Sequence, residues 1–384
     1  MKYTPYSRQT IDKKDIKAVL GVLKSDWITQ GPKIKEFEDA LCEYAGVKYA
    51  VVVSSGTAAL HLSMLAMNLS KGDRAITSPI TFSASANCVL YAGAVPQFID
   101  INDKTYHLDI EKLKTFFKKI SQRKKVKVVI PVHFMGTVID IEEIKKYCDR
   151  YGIRIVEDAA HALGARYKSR DEWFRVGSCK HSDIAIFSFH PIKHITTGEG
   201  GAILTNNRKI YERALRLRHH GIIKNKKHKF WFYDIPEIGF NYRITDFQSA
   251  LGISQLKKLD RVVKIKKFLA DNYNTHFSSL KMVRLPYSRP ATYPAYHLYV
   301  IRVGKNKRNA LYNYLRKNNI LTQVNYVPVH LLSYYRNKFG YKAGDFPVAE
   351  RYYDECLSLP LYAGLSRNQQ MRVIDSVRGF LEND

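Results

Sequence analysis

"YAVVVSSGTAALHLSMLAMNLS", residues 49–70, sets an apolar β-branched run directly against a run with helical spacing, and joins the two through Ser54, Ser55, Gly56 and Thr57. A strand that feeds straight into a helix is half of a βαβ unit. The pattern then repeats. "RAITSP" reads as a strand, "TFSASANCVLYAG" as a helix and "AVPQFIDI" as a strand. After these come helical "DIEKLKTFFKKI", strand "KVKVVIPV", helical "DIEEIKKYCDRYG", strand "IRIVEDA" and the paired short strands "DIAIFSF" and "GAILTN". This rhythm predicts an α/β fold with a mostly parallel sheet covered by helices on both faces.

The segment 245–280, "TDFQSALGISQLKKLDRVVKIKKFLADNYNTHFSSL", keeps helical periodicity throughout and reads as a long connecting helix. Beyond it the pattern changes. Strand-like "YHLYVIRV", helical "KRNALYNYLRKNN", the segment "ILTQVNYVPVH" and a helix from about Arg367 predict a smaller α+β domain. The expected division is a large domain over 1–255 and a small C-terminal domain over 256–384. A chain of 384 residues is long enough for two domains.

Composition excludes several classes. Hydrophobic content of 45% and charged content of 25% are those of a folded globular protein. No window carries the roughly 18 uninterrupted apolar residues of a spanning helix, and "MKYTPYSRQTIDKKD" lacks the apolar centre of a signal peptide, so a cytoplasmic location without membrane association is expected. Cys42, Cys88, Cys148, Cys179 and Cys356 lie far apart with no C-x-x-C pair, which predicts reduced thiols and no metal. The net charge of +27 raises the question of nucleic acid, yet most lysines sit on amphipathic helical faces. Only "HHGIIKNKKHKFWFY", residues 219–233, is a dense basic and aromatic cluster. No nucleic-acid partner is expected, and a basic regulator on an inactive fold is the non-enzymatic alternative.

In open α/β sheets ligands bind beyond the carboxyl ends of the strands, so the polar residues just past each apolar run carry the argument. "VVVSSGTAAL" offers a helix N-terminus to an anion, although alone it reads as ordinary Ser and Thr capping. "IRIVEDAAHALGA" ends a strand on Glu157 and Asp158 and adds His161; Asp158 suits a pyridinium nitrogen, the alternative being a helix cap. "FSFHPIKHITTGEGG", residues 187–201, brings Ser188, His190 and Lys193 to the same edge, where a desolvated lysine amine can form a Schiff base with an aldehyde. "GFNYRITDFQSALG" adds Asn241, Tyr242 and Arg243 before a capped helix. A phosphate cradle, a ring-nitrogen carboxylate and an amine nucleophile, in that order along one sheet edge, jointly specify a pyridoxal phosphate site.

The strings "SSGTAALHL", "TFSASAN", "EDAAHALGA", "FSFHPIKHITTGEGGAILTN" and "FNYRITDFQSALGISQLKKLD" closely resemble the sugar aminotransferases of the DegT/DnrJ/EryC1/StrS family, over nearly the whole chain. That resemblance implies the fold-type I architecture of pyridoxal phosphate enzymes. "KSDWITQGP", "CEYAGVKYAVVVSS" and "VNYVPVH" look most like the family's members in pseudaminic acid synthesis, which act on a UDP-linked 4-keto-6-deoxy-N-acetyl-hexosamine. By the same resemblance Lys193 would hold the cofactor covalently and shuttle the proton, and Asp158 would bind the pyridine nitrogen. Phe82 would lie against the ring, His161 near the ring oxygen, and Gly56, Thr57 and Ser188 at the phosphate. Asn241 would reach the phosphate of a neighbouring subunit in a homodimer with shared sites.

The resemblance places Tyr6, then Asp26, Trp27, Ile28 and Thr29, and then Gln323, Val324, Asn325 and Tyr326 around the nucleotide sugar. Asn325 stands where related sequences often have histidine, a departure that bears on the substrate and not on amino transfer. The basic loop His219 to Lys229 is matched about equally by a contact with the sugar's diphosphate and by a solvated surface. The implied reaction passes the amino group of L-glutamate, released as 2-oxoglutarate, to a sugar ketone. Amination at C3 or C4 of a dTDP- or GDP-linked sugar is the nearest alternative. Dehydratases of the family carry histidine in place of the lysine, so Lys193 argues for transfer.

Overall fold

Our computed structural model describes residues 3–119, 124–224 and 229–382. The run "YAVVV" forms the strand Tyr49–Val53, and the helix Gly56–Ala66 begins three residues later. Ser55 is its N-cap, accepting the Ala58 N–H on Oγ at 3.0 Å. The helix stops at Ala66, four residues short of the periodic pattern. Likewise the helix read from "TFSASANCVLYAG" starts at Ala84, which leaves Phe82 ahead of its first turn.

Seven strands form the main sheet, in the order Tyr49–Val53, Gly201–Thr205, Ile184–Ser188, Arg154–Asp158, Val126–Val129, Arg74–Thr77, Val95–Phe98. Gly201–Thr205 is antiparallel to both of its neighbours, and the other four pairings are parallel. Six strands therefore end at one edge. Alternation along each strand feeds two cores: Ile186 packs with Leu60, Leu62 and Val89 on one face, while Phe187 joins Phe37, Leu41 and Ile195 on the other. A sheet buried on both faces needs this near-continuous apolar sequence.

The expected long helix is two, Asp246–Leu256 and Leu259–Phe277. Lys257 and Lys258 separate the two, and at this joint Lys258 binds Asp12 at 2.8 Å and Asp15 at 2.6 Å, while Gln255 donates to the Thr10 carbonyl at 2.9 Å. The N-terminal helix Lys13–Leu23 is thereby docked at the joint. Past Phe277, the strands Tyr299–Arg302 and Cys356–Leu359 pair antiparallel beside the helices Lys305–Lys317 and Arg367–Glu382. Leu311, Leu315, Ile374 and Val377 fill the core there. Arg302 ties this part to the loop after the sheet's edge strand. Its side chain is fully buried, 2.6 Å from Asp103 and 2.7 Å from Glu355.

A three-stranded sheet of Thr292–Tyr293, Arg166–Ser169 and Glu172–Arg175 had no counterpart in the sequence reading. Its strands are two to four residues long, too short for a period-two signal.

Candidate active site

Gly56, Thr57 and Ser188, expected at a phosphate, meet at the carboxyl edge of the sheet. The first N–H groups of a helix have no intrahelical acceptor, and Ser55 takes that of Ala58, while among the described residues no acceptor meets those of Gly56 and Thr57. Ser188, at the end of its strand, lies against them: a Cβ on Gly56 would come 2.9 Å from the Ser188 Cβ and 3.2 Å from its Oγ. Only glycine leaves that space open.

Asp158 and Glu157 close one strand and point to opposite faces, so they have different fates. Glu157 is buried against His133, 2.7 Å away, and takes the Ser182 hydroxyl; it is structural. Asp158 accepts the Ser85 hydroxyl at 2.6 Å on one oxygen and the Ala160 N–H at 3.1 Å on the other. Ser85 is in turn 2.7 Å from the Thr81 hydroxyl. The carboxylate is fixed in place, and the resemblance had given Ser85 no role.

Lys193 follows Ser188 by one turn and points into the cleft between the sheet edge and the C-terminal part. Burial lowers its ammonium from 10.5 to about 8, partly offset by the charge of Asp158. Its Nζ is 3.5 Å from Nε2 of His297. The His297 ring lies 4.2 Å from that of His161, and His161 Nε2 is 3.3 Å from the Tyr326 hydroxyl. Burial, and then the Lys193 charge, hold both imidazoles well below their usual range, so they are neutral. Sequence reasoning missed His297, whose signal is a polar residue just ahead of a buried strand.

It also missed Lys266, although the signal was there. Leu259, Val263, Lys266, Ala270, Tyr273 and Phe277 form the buried stripe of their helix at alternating spacings of four and three, with a lysine at an apolar position. Burial and then the Lys193 charge lower Lys266 from 10.5 to about 7.

Among the expected substrate residues, Tyr6 donates its hydroxyl to Asn325 Oδ1 at 3.0 Å, and Asn325 is buried beneath Tyr352. Tyr326 bridges to His161 and lies 6.0 Å from the exposed ring of Phe82. Gln323 is exposed and pairs through its backbone with Ser358; Val324 packs beside Tyr326. Asp26, Trp27, Ile28 and Thr29 are exposed, and their backbone contacts run to Thr245 and Asp246 rather than to Lys193. Asn241 is exposed beside His219, whose ring meets Arg243 at 2.7 Å. Of the basic loop, residues 225–228 lie outside the described residues. Among the described residues no group of His, Cys, Asp and Glu is placed to hold a metal, and no helix is long and apolar enough to cross a membrane.

Residues 9–378 match the DegT/DnrJ/EryC1/StrS aminotransferase family. The chain belongs to that family. It is 36% identical to the UDP-4-amino-4,6-dideoxy-N-acetyl-beta-L-altrosamine transaminase of Campylobacter jejuni over 386 residues, covering 98% of this chain and 97% of that protein. Helicobacter pylori PseC, an aminotransferase involved in the biosynthesis of pseudoaminic acid, superposes with a TM-score of 0.91 at 33% identity over the full length of both chains. Spr1654 of Streptococcus pneumoniae, solved in its PMP form, gives 0.90 at 29% identity over 99% of each chain. This DegT-family chain is thus a sugar aminotransferase with pyridoxal phosphate as cofactor. Its own residues fit that group: the space left by Gly56, the fixed carboxylate of Asp158 and the half-buried amine of Lys193 would suit an anion, a ring nitrogen and an aldehyde carbon.

Proposed function

We propose that this sugar aminotransferase moves the amino group of L-glutamate to C4 of a UDP-linked 4-keto-6-deoxy-N-acetyl-hexosamine, working as a homodimer that shares its sites. The observation that carries amino transfer is the Lys193 amine, depressed to about 8, beside neutral His297 and within the field of Asp158. The sugar assignment is supported by the likeness to the Campylobacter transaminase and to PseC.

Bound pyridoxal phosphate would supply an electron-poor ring that accepts an electron pair from the amino donor's α-carbon. Asp158 would keep a proton on the ring nitrogen, and Ser85 and Ala160 keep Asp158 from rotating away. Gly56, Thr57 and Ser188 would anchor the phosphate, with Asn241 of one subunit reaching towards the other. Near neutral pH the Lys193 Nζ is able both to take and to release a proton, the requirement for moving one on and off a carbon. His161 and His297 stay uncharged, so they do not compete for that proton. Glutamate leaves as 2-oxoglutarate in the first half, and the amine passes to the sugar ketone in the second.

The test is incubation with L-glutamate and a panel of UDP-, GDP- and dTDP-linked 3-keto and 4-keto sugars, followed by product structure determination. An amine at C4 of the UDP-linked hexosamine is expected. A product from another sugar and none from this one would overturn the sugar assignment and leave aminotransferase activity intact.

A further inference from the structure

A cavity of about 280 Å³ opens behind Lys193, bounded by residues 7–10, by Tyr362 and Ala363, and by one face of the helix Leu259–Phe277. That face presents Lys258, Arg261, Val262, Ile265 and Lys266, positions spaced by three, four, seven and eight, as a single helical face requires. Three of these five residues are cationic, and Arg8 faces them from the N-terminal segment. Lys258 is already compensated by Asp12 and Asp15. Among the described residues no carboxylate pairs with Arg8, Arg261 or Lys266. Lys266 is 3% exposed, and the one side-chain hydrogen bond it makes among the described residues is long, 3.4 Å to the His297 carbonyl oxygen. A buried ammonium without a counter-charge is costly, so Lys266 holds its proton weakly, and a carboxylate arriving beside it would favour the charged form.

We propose that this cavity is the carboxylate site of the amino donor, with Lys266 at its inner end and Arg8 and Arg261 at its mouth, so that a dicarboxylic amino acid is selected over a neutral one. The inference rests on the amino-transfer reading above and adds where the donor binds. The chemistry favours a small diacid. Lys193 is one of the lining residues, which sets the occupant next to the lysine that bears the amine, and two separated cationic positions match two carboxylates. When the donor arrives, its carboxylate supplies the counter-charge that Lys266 lacks. The donor's second carboxylate meets exposed guanidiniums that can close on it.

The test compares cofactor-loaded wild type with Lys266→Met and Arg261→Gln. The bleaching of the cofactor absorbance is followed against the concentration of L-glutamate and of L-alanine, and the steady-state KM of the nucleotide sugar is measured separately. Met keeps the length and packing of Lys266 and removes only the charge, and cofactor absorbance reports that the variant is folded. Loss of a charge-assisted contact in a dry site predicts that selectivity for glutamate over alanine falls about tenfold or more, chiefly through the half-saturating glutamate concentration. Arg261→Gln shifts it in the same direction by less. Three results would overturn the assignment: unchanged selectivity in both variants, a loss that falls on the KM of the sugar, marking a diphosphate site, or a wild type that glutamate does not bleach. The last also removes the amino-transfer reading with glutamate as donor, whereas the first two leave it standing.

Discussion

The hydroxyl of Ser85 donates to Asp158 Oδ2 across 2.6 Å, from the first turn of the helix Ala84–Tyr91 to the end of the strand Arg154–Asp158. The carboxylate that would face the cofactor's ring nitrogen is therefore oriented by a neighbouring helix. Ser85→Ala removes the only side-chain donor among the described residues that Asp158 has. A hydrogen bond to a charged group contributes roughly 1.5 to 3 kcal/mol, so cofactor affinity should fall about tenfold or more, read by absorbance titration. Unchanged affinity would mean that the Ala160 N–H alone holds Asp158.

Gly56→Ala should weaken the same cofactor through its other end. The added methyl would meet the Ser188 Cβ at 2.9 Å, so either the helix start or the strand end must shift. Overpacking of this kind costs about 1 to 3 kcal/mol, and the loss should appear in phosphate-dependent cofactor binding as well as in the melting temperature. A variant that binds pyridoxal phosphate like the wild type would contradict the cradle.

The pH dependence follows from Lys193. Its folded value of about 8 lies below the ordinary 10.5, so the uncharged amine dominates above about pH 8. Attachment of pyridoxal phosphate to apoenzyme should quicken roughly tenfold per unit of rising pH below that point, and then level off. Stability has the matching sign. The folded chain holds fewer protons than the unfolded chain between about 8 and 10.5, so the cost of burying Lys193 is full below pH 8 and fades as pH rises towards 10.5. A rate that climbs without a plateau to pH 10 would contradict the depressed value.

Arg302 offers a stability test away from the chemistry. Its side chain is fully buried between Asp103 and Glu355. Arg302→Ala takes this ion pair from Glu355 and empties a buried site, while Asp103 keeps Arg284 and Arg351, so it should cost about 1 to 3 kcal/mol in denaturant unfolding. A loss under 1 kcal/mol would mark the pair as a solvated contact.

Much of this was legible in the sequence because the sheet's strands announce themselves. "YAVVV", "RIVED" and "IAIFS" are apolar on both faces, and each hands a polar residue to the same edge, so the junctions revealed Gly56, Asp158, Ser188 and Lys193 together. What stayed hidden depends on packing between distant segments. The joint at Lys257 and Lys258 is where Lys258 meets Asp12 and Asp15, some 240 positions away, and no local signal contradicts a continuous helix. His297 reaches Lys193 only once the C-terminal part folds against the sheet. Lys266 was readable from its place in an apolar stripe, but its meaning required the cavity.

The central claim is that Lys193, and not the even more depressed Lys266, carries the cofactor. Borohydride reduction of the holoenzyme followed by peptide mapping tests it directly, since reduction fixes the carbon–nitrogen bond to whichever lysine formed it. A single pyridoxyl adduct on Lys193 is the expected result, with none in Lys193→Ala and no turnover in that variant. An adduct on Lys266 or no adduct on either, or normal activity in Lys193→Ala, would contradict it.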